Sequence, residues 1–407
     1  MAKTTIAGVQ AAMKILYPKG EMPESINEEY VFHKALKKQE DFTGEFAYVA
    51  LKHANPQGIG KLVSDAQTAD NSQAFKRFTL TRSKFFATAR IDGEAAEAAV
   101  KTEGALVDLV EDKVSGTAQS FVHDLAVYNY GNGSGVLAQV LSIASSPTYT
   151  LTTTTNMNNL ELGMTVQFVS DATLSPTLRA GGGFAITAID RLNKTVTLAG
   201  EPTNDANGDY IVRASMASSS GTNSTYFGLE SYVEGGSSPS ALYGLTRTSD
   251  PVRLAGQTKS YTGEAMEDAV LDACALSAIQ GIGSPDTLIA NPIQVSAMKR
   301  SVGGRIVYDR TASPKAGVGF SGLVFETEAG HIDVMSDPYC PLQTAYLVRK
   351  KDWSLWSLGK APHMEKNDGL TYLRIADDDA FEVRWKFYGA LKLTNPGCQF
   401  RLTGFGA

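Results

Sequence analysis

The chain is poor in cysteine, in long apolar runs and in clustered charge, and each shortage removes a class of function. Its three cysteines, Cys274, Cys340 and Cys398, are odd in number and far apart. They form no CxxC pair and no disulfide framework, so reduced, buried thiols in a protein made in a cytosol are expected. No run approaches the roughly 18 apolar residues that a membrane-spanning helix needs. The opening Met1-Ala2-Lys3-Thr4-Thr5 lacks the apolar stretch of a secretory signal. The formal net charge is −6, without a basic tail or an Arg-rich block. Such a chain repels nucleic acid rather than gripping it by neutralising phosphates.

Catalytic signatures are missing as well. His33, His53, His123, His331 and His363 share no HxxxH or HExxH spacing. There is no GxSxG elbow and no P-loop. Gly131, Gly133 and Gly135 follow a helical stretch rather than a strand, so they read as a chain reversal and not a phosphate cradle. Asp377-Asp378-Asp379 lacks the spaced ligands and the glycine of a calcium loop and reads as a solvated hairpin turn. Trp353 and Trp356, three apart, read as a core or interface cluster, with an aromatic sugar platform as the alternative. No catalytic residue, cofactor site or metal ligand emerges, and the chain is expected not to be an enzyme.

What is present is an unusual order of parts. At 407 residues the chain exceeds the roughly 250–300 residues that one core serves, so at least two domains are expected. Residues 1–44 read as an arm, with helices at Ile6–Leu16 and Asn27–Gln39 separated by Pro18, Gly20 and Pro23. Residues 45–91 read as an extended hairpin with arms Glu45–Lys52 and Phe75–Ile91 around a polar stretch without structure of its own. Phe46, Tyr48 and Ala50 share one face of the first arm; Phe78 and Leu80 share a face of the second, opposite Thr79 and Thr81. A lone two-stranded hairpin is marginal in water, and a long structureless loop is unusual in a compact domain, so a second copy of the chain is expected beneath it. Lys76, Arg77, Arg82, Lys84 and Arg90 occur with no acid between them. They are either cations guarding a solvated strand edge or a basic strip that docks on an acidic neighbour.

Gly93–Tyr130 reads as one helix on the order of 50 Å long. Its stripe is Val100, Val107, Val110, Val114, Phe121, Val122 and Leu125, and it stops at Tyr130-Gly131-Asn132-Gly133-Ser134-Gly135. From 146 to 214 the composition turns to Thr, Gly and Asn. Short strands are predicted at Tyr149–Thr153, Thr165–Val169, Phe184–Asp190, Thr195–Leu198 and Tyr210–Arg213, a small β-barrel inserted into a larger domain. Beyond it, helices are expected at Gly263–Ile279 and, capped by Asn291, at Pro292–Arg300. Strands are expected at Thr287–Ala290, Gly322–Thr327, His331–Met335, Thr344–Lys350, Thr371–Ile375, Ala380–Leu393 and Cys398–Leu402, with a Gly-rich basic loop at Gly303–Gly322.

This order resembles the major capsid protein of tailed bacteriophages. The pieces that carry the resemblance are Phe85-Phe86-Ala87-Thr88-Ala89-Arg90 before the long helix and Tyr130–Gly135 after it. Asp286-Thr287-Leu288-Ile289-Ala290-Asn291-Pro292 and Pro396-Gly397-Cys398-Gln399-Phe400-Arg401-Leu402 complete them. It covers the chain outside about 146–214.

The resemblance implies an α+β phage major capsid fold. Its parts would be an N-terminal arm (1–44), an extended loop (45–91), a spine helix opening the peripheral domain (92–145), the inserted β domain (146–214), an axial domain (215–340) and a β-rich return to the peripheral domain (341–407). It implies hexamers and pentamers in an icosahedral shell assembled in a host bacterial cytoplasm. The partners implied are other copies, a separate scaffolding protein (the spine begins too early for a large fused one), a portal, decoration proteins and packaged double-stranded DNA, with no membrane. Lys52, Lys61, Lys76, Arg77, Arg82, Lys84, Arg305, Arg310 and Lys315 are the expected contact residues between subunits. One branch of the family welds subunits by Lys–Asn bonds, for which Lys52, Lys61 and Asn395 are the positions to examine. The rival readings are a β-rich carbohydrate-binding or adhesin module and the shell of a cellular nanocompartment.

Overall fold

A computed structural model describes residues 30–94, 109–174, 176–216, 225–236, 238–302, 324–366, 373–375 and 378–405. The chain divides into two compact units. In the smaller, the strand residues before Asp92 run beside Ala380–Trp385; the Gly93 amide donates to the Asp379 carbonyl at 2.8 Å and Arg90 lies 3.7 Å from Glu382. Asp378 and Asp379 lie in the turn between the strands Leu373–Arg374 and Ala380–Leu393, so this part of the acidic run is a hairpin turn.

The larger unit holds one whole sheet, part of a second, a barrel and a projecting hairpin. A mixed six-stranded sheet has the order Gln257–Ser260, Phe400–Thr403, Thr344–Val348, Thr287–Ala290, Gly330–Ser336, Val324–Thr327. Thr287–Ala290 is buried at every position, as a central strand covered on both faces must be. Helices Met266–Gln280 and Pro292–Val302 join its core, which gathers Val270, Cys274, Leu288, Met298, Leu347 and Phe400. Asn291 caps the second helix, its Oδ1 accepting from the Ile293 amide at 3.2 Å, with Pro292 at the first position. The second sheet contains Lys37–Gln39, Trp353–Ser357, Ala380–Leu393 and His363–Met364 in that order. The segment 341–407, expected as one β-rich unit, is therefore shared between two sheets.

The barrel is closed by six strands, not five. Val136–Ser145 precedes the expected start at 146 and pairs with both Thr148–Leu151 and Tyr210–Arg213. Tyr149, Val166, Phe168, Val196 and Ile211 fill it.

Other expectations change too. The helix Asn27–Gln39 is reduced to Val31–Ala35, and Lys37–Gln39 becomes a strand parallel to Trp353–Ser357. An open sheet edge offers these residues backbone partners that outweigh their helical preference. Residues 30–44 are no free arm: Tyr30, Phe32, His33, Leu36 and Phe42 are buried. Phe32 and Tyr130 are both tied to Asp337, whose Oδ2 accepts from the Phe32 amide and the Tyr130 hydroxyl at 2.8 Å each. The second hairpin arm is two strands, Ala74–Thr81 and Ser83–Asp92, and only the first pairs with Phe46–Ala54; the second pairs with Ala380–Leu393. The loop between the arms carries a helix, Val63–Ala69. The described part of the spine helix is Leu109–Tyr128, which spans about 30 Å at 1.5 Å per residue. The helix expected at 6–16, residues 95–108 of the spine and the loop 303–322 lie outside the described residues.

Candidate assembly surface

The hairpin register sorts its side chains onto two faces. Val49 lies opposite Phe78 and Ala47 opposite Leu80; Phe46 lies opposite Thr81, Tyr48 opposite Thr79, Ala50 opposite Arg77 and Lys52 opposite Phe75. Val49, Leu51, Phe78 and Leu80 are buried, whereas Phe46, Tyr48 and Phe75 are each about half exposed or more.

The hairpin root has a floor within its own chain. Phe78 meets the edge of Tyr232 at 5.8 Å, and the Thr79 amide donates to the Tyr243 carbonyl at 3.0 Å. Tyr243 lies in a tight turn, Leu242–Leu245, with φ +47° followed by Gly244 at φ +75°; both angles belong to a type I′ turn. Its ring stands perpendicular to Phe227 at 4.8 Å. Burial pushes the Tyr243 hydroxyl well above its ordinary range. Arg247, 1% exposed, fastens this floor. It donates to the carbonyls of Ser240 at 2.7 Å, Ser231 at 2.9 Å and Tyr232 at 3.3 Å, and pairs with Glu234 at 2.6 Å. Arg253 adds a donor to the His53 carbonyl at 2.8 Å.

Beyond the floor nothing in the described chain covers the hairpin. Helix Val63–Ala69 has no buried residue. Ile59, Leu62 and Val63 around it are 84%, 62% and 76% exposed. The Gln57 amide donates to Asn71 Oδ1 at 2.9 Å, closing the tip. A seven-residue helix is far below the roughly 12–15 residues an isolated helix needs, so this tip requires a covering surface.

The basic residues divide by role. Arg82 is internal: it donates to the Phe42 carbonyl at 3.1 Å and lies 5.5 Å over the Phe42 ring. Arg90 pairs with Glu382. Arg77 lies over the Tyr48 ring at 4.3 Å. Lys52, Lys61, Arg77 and Lys84 are exposed, and Lys76 half-buried; among the described residues none of these five has an acidic partner within ion-pair distance. Arg305, Arg310 and Lys315 lie outside the described residues. Lys52 and Asn395 line one cleft of about 410 Å³, which Lys61 does not reach; the Asn395 amide donates to the Ile282 carbonyl at 3.1 Å.

The other sequence candidates are structural. Trp353 is buried and donates to Gln399 at 3.0 Å. Trp356 is covered by Lys392 at 4.0 Å and by Phe42 at 5.4 Å, so no sugar platform exists there. Gly133 and Gly135 take φ +91° and +78°, and the Gly131 and Gly133 carbonyls accept from the Gly228 and Thr225 amides, so the glycine run is a reversal. The three cysteines are free and buried. Among the described residues no group of His, Cys, Asp and Glu could hold a metal ion, and no helix is long and apolar enough to cross a membrane.

The junction between barrel and spine helix was invisible in the sequence. His123 Nε2 lies 2.8 Å from the Asn158 carbonyl and 3.7 Å from Glu161; Asp124 pairs with Arg213 at 2.9 Å. The Asn156 amide donates to the carbonyls of Pro338 and Cys340 at 2.6 and 3.2 Å.

A family model described as the SU10 major capsid protein matches residues 201–405. The capsid asymmetric unit of cyanophage A-1(L) is similar in fold, at 12% identity and TM-score 0.59, with 99% of each chain covered. The capsid of a native GTA particle is similar at 8% identity and TM-score 0.51, with both chains fully covered. No curated protein sequence matches.

Proposed function

The chain belongs to the SU10 major capsid protein family, and from that membership we propose that it assembles as hexamers and pentamers into the icosahedral, DNA-containing head of a tailed phage. It is a structural protein of the virion shell, not an enzyme, and it associates with its own copies. The observation that carries the assembly reading is the hairpin, rooted on its own floor by Arg247 and Tyr243 and bare on the face of Phe46, Tyr48 and Phe75 and around its tip. A bare apolar element of this kind orders fully when a neighbour covers it, which couples folding to assembly. Symmetry then repeats each small contact around the shell.

Within that reading the hairpin is the extended loop over an adjacent subunit, and the exposed cations Lys52, Lys61, Arg77 and Lys84, with the half-buried Lys76, meet acidic surface there. Arg82 and Arg90 serve the subunit itself. The mixed sheet and its two helices form the axial domain, and Arg305, Arg310 and Lys315 contact copies around its axis. A scaffolding protein, a portal and decoration proteins are the partners, with assembly in the host cytoplasm. Double-stranded DNA touches the inner face without sequence-specific binding, in keeping with a net charge of −6. The burial of Trp353 and the family match leave the carbohydrate-binding alternative without support.

The test is negative-stain electron microscopy with light scattering on the purified full chain, alone and with its scaffolding protein. Closed shells, or rings of five and six copies, are expected. A monomer under both conditions overturns the reading.

A further inference from the structure

Resting on the capsid reading, we propose that the outer face of the hairpin packs against the outward stripe of helix Met266–Gln280 on a neighbouring copy. Met266, Ala269, Val270, Ala273, Cys274 and Ser277 are the buried side of that helix. Asp268, Leu271, Asp272, Ala275 and Ile279 fall on the opposite side, within an arc of about 100° at 3.6 residues per turn. Leu271 is 39% and Ile279 82% exposed. Among the described residues neither Asp268 nor Asp272 has a basic partner within ion-pair distance. The stripe is thus apolar along its centre and acidic at one end, and Leu271 and Ile279 stay exposed among the described residues.

The hairpin offers the complement. Phe46, Tyr48 and Phe75 are its exposed aromatics, and Lys52 and Arg77, on the same face of the ladder, are its cations. Beside them runs an open groove of about 460 Å³ lined by Ala50, Phe75, Lys76, Arg77, Leu245 and Thr246. Arg77 is already held against Tyr48, so it loses little freedom on binding. Exposed aromatics beside an arginine are the residue types that carry most of an interface's binding energy. The dimensions agree. The stripe from Asp268 to Ile279 spans about 17 Å at 1.5 Å per residue, and the ladder from Phe46 to Lys52 about 20 Å at 3.3 Å per residue. Two different patches in contact make a head-to-tail interface, which closes into a ring when the rotation between copies permits.

Charge reversal with rescue tests this. Lys52→Glu with Arg77→Glu, and separately Asp268→Lys with Asp272→Lys, are each expected to abolish ring and shell formation while leaving the circular dichroism spectrum of the subunit unchanged. The two changes combined in one chain are expected to restore particles. Normal assembly of either double variant, or failure of the combined chain to assemble although folded, overturns the contact and leaves the capsid reading standing. Wild-type protein that stays monomeric overturns the capsid reading instead, and this contact with it. As a measurement independent of particle yield, Ala50→Cys with Ala275→Cys is expected to give covalent ladders of subunits on oxidation of assembled particles. Particles that remain wholly monomeric on a denaturing gel count against the contact.

Discussion

The Asn129 side-chain amide donates to His33 Nδ1 across 3.1 Å. The Tyr226 hydroxyl lies 2.8 Å from both Asn129 Oδ1 and the Leu125 carbonyl, which share its one hydrogen. With the amide nitrogen facing it, His33 Nδ1 offers a lone pair, and the ring is neutral. Protonation would put two donors face to face inside the core.

Burial, aided by the nearby charge of Lys38, lowers the His33 pKa to about 4. Between its unfolded value of 6.5 and about 4, the unfolded chain binds the proton that the folded chain refuses. Stability contributed by neutral His33 is thus complete above 6.5 and is lost as pH falls through that window. The loss is about 3 kcal/mol at full extent. Urea unfolding of the unassembled subunit at a series of pH values should show it, and His33→Gln should flatten the slope. An unchanged slope in the variant would rule out His33 as its source.

Arg247→Met removes the fastening of the hairpin floor. The carbonyls of Ser231, Tyr232 and Ser240 lose their donor, and Glu234, more than a third exposed, is left to water. The expected destabilisation is about 3 kcal/mol. Limited proteolysis should then cut between Lys52 and Lys76 faster than in wild type. Arg247→Lys keeps the charge without the planar fork and should fall between the two. Equal cleavage rates in all three proteins would show that the floor does not depend on this side chain.

Much of this was legible in the sequence, and the exceptions share physical causes. The barrel strands from Thr165 onward announced themselves through period-two alternation broken by turns such as Leu192-Asn193-Lys194, where Lys194 takes φ +53°. Val136–Ser145 was missed because its register shifts twice against Thr148–Leu151, between Val140 and Ser142 and again between Ile143 and Ser145, which erases the alternation. Lys37–Gln39 is polar and becomes a strand only because Trp353–Ser357 leaves an edge beside it. Arg247 looks like any surface arginine until the carbonyls of residues 231–240 close around it. The hairpin's exposed face could be read from alternation alone, but its floor could not. Nothing in the local sequence says that a tyrosine at position 243 will take a positive φ beneath Thr79.

Gly228 is a second site where backbone proximity, not local propensity, decides the residue. A Cβ there would lie 2.5 Å from the carbonyl oxygens of both Tyr128 and Asn129. Gly228→Ala forces the end of the spine helix away from the segment that holds Leu229 and Tyr232, at a cost of about 3 kcal/mol. Gly163→Ala is the control: φ is +79° with open space around the added methyl, so backbone strain of about 1 kcal/mol is the whole cost. Denaturant midpoints of the two variants should differ by that margin, and similar midpoints would show that the spine end yields without penalty.

His123 sets an opposite pH dependence at the barrel junction. Burial lowers its pKa, but Asp124, Glu161 and the Asn158 carbonyl together outweigh burial and raise it above 6.5. The remaining groups around it are the Tyr339 ring at 5.2 Å and Arg213, which is engaged with Asp124. A folded pKa above the unfolded one means that the folded chain holds the proton longer. The stability it contributes is therefore full below 6.5 and disappears as pH rises through the folded pKa. His33 and His123 then squeeze the subunit from both sides, one failing in acid and the other fading in mild alkali. The two are separable because His123 bridges to Asn158 and Glu161 of the inserted barrel, whereas His33 is buried against Asn129 of the spine. Raising the pH from about 7 to about 9 leaves the His33 contribution unchanged but should loosen the barrel, seen as lower amide-exchange protection factors, corrected for the intrinsic pH dependence of exchange, at residues 157–161. His123→Gln should show the low protection throughout, and a wild-type protection factor that does not change with pH would show that the junction does not depend on this proton.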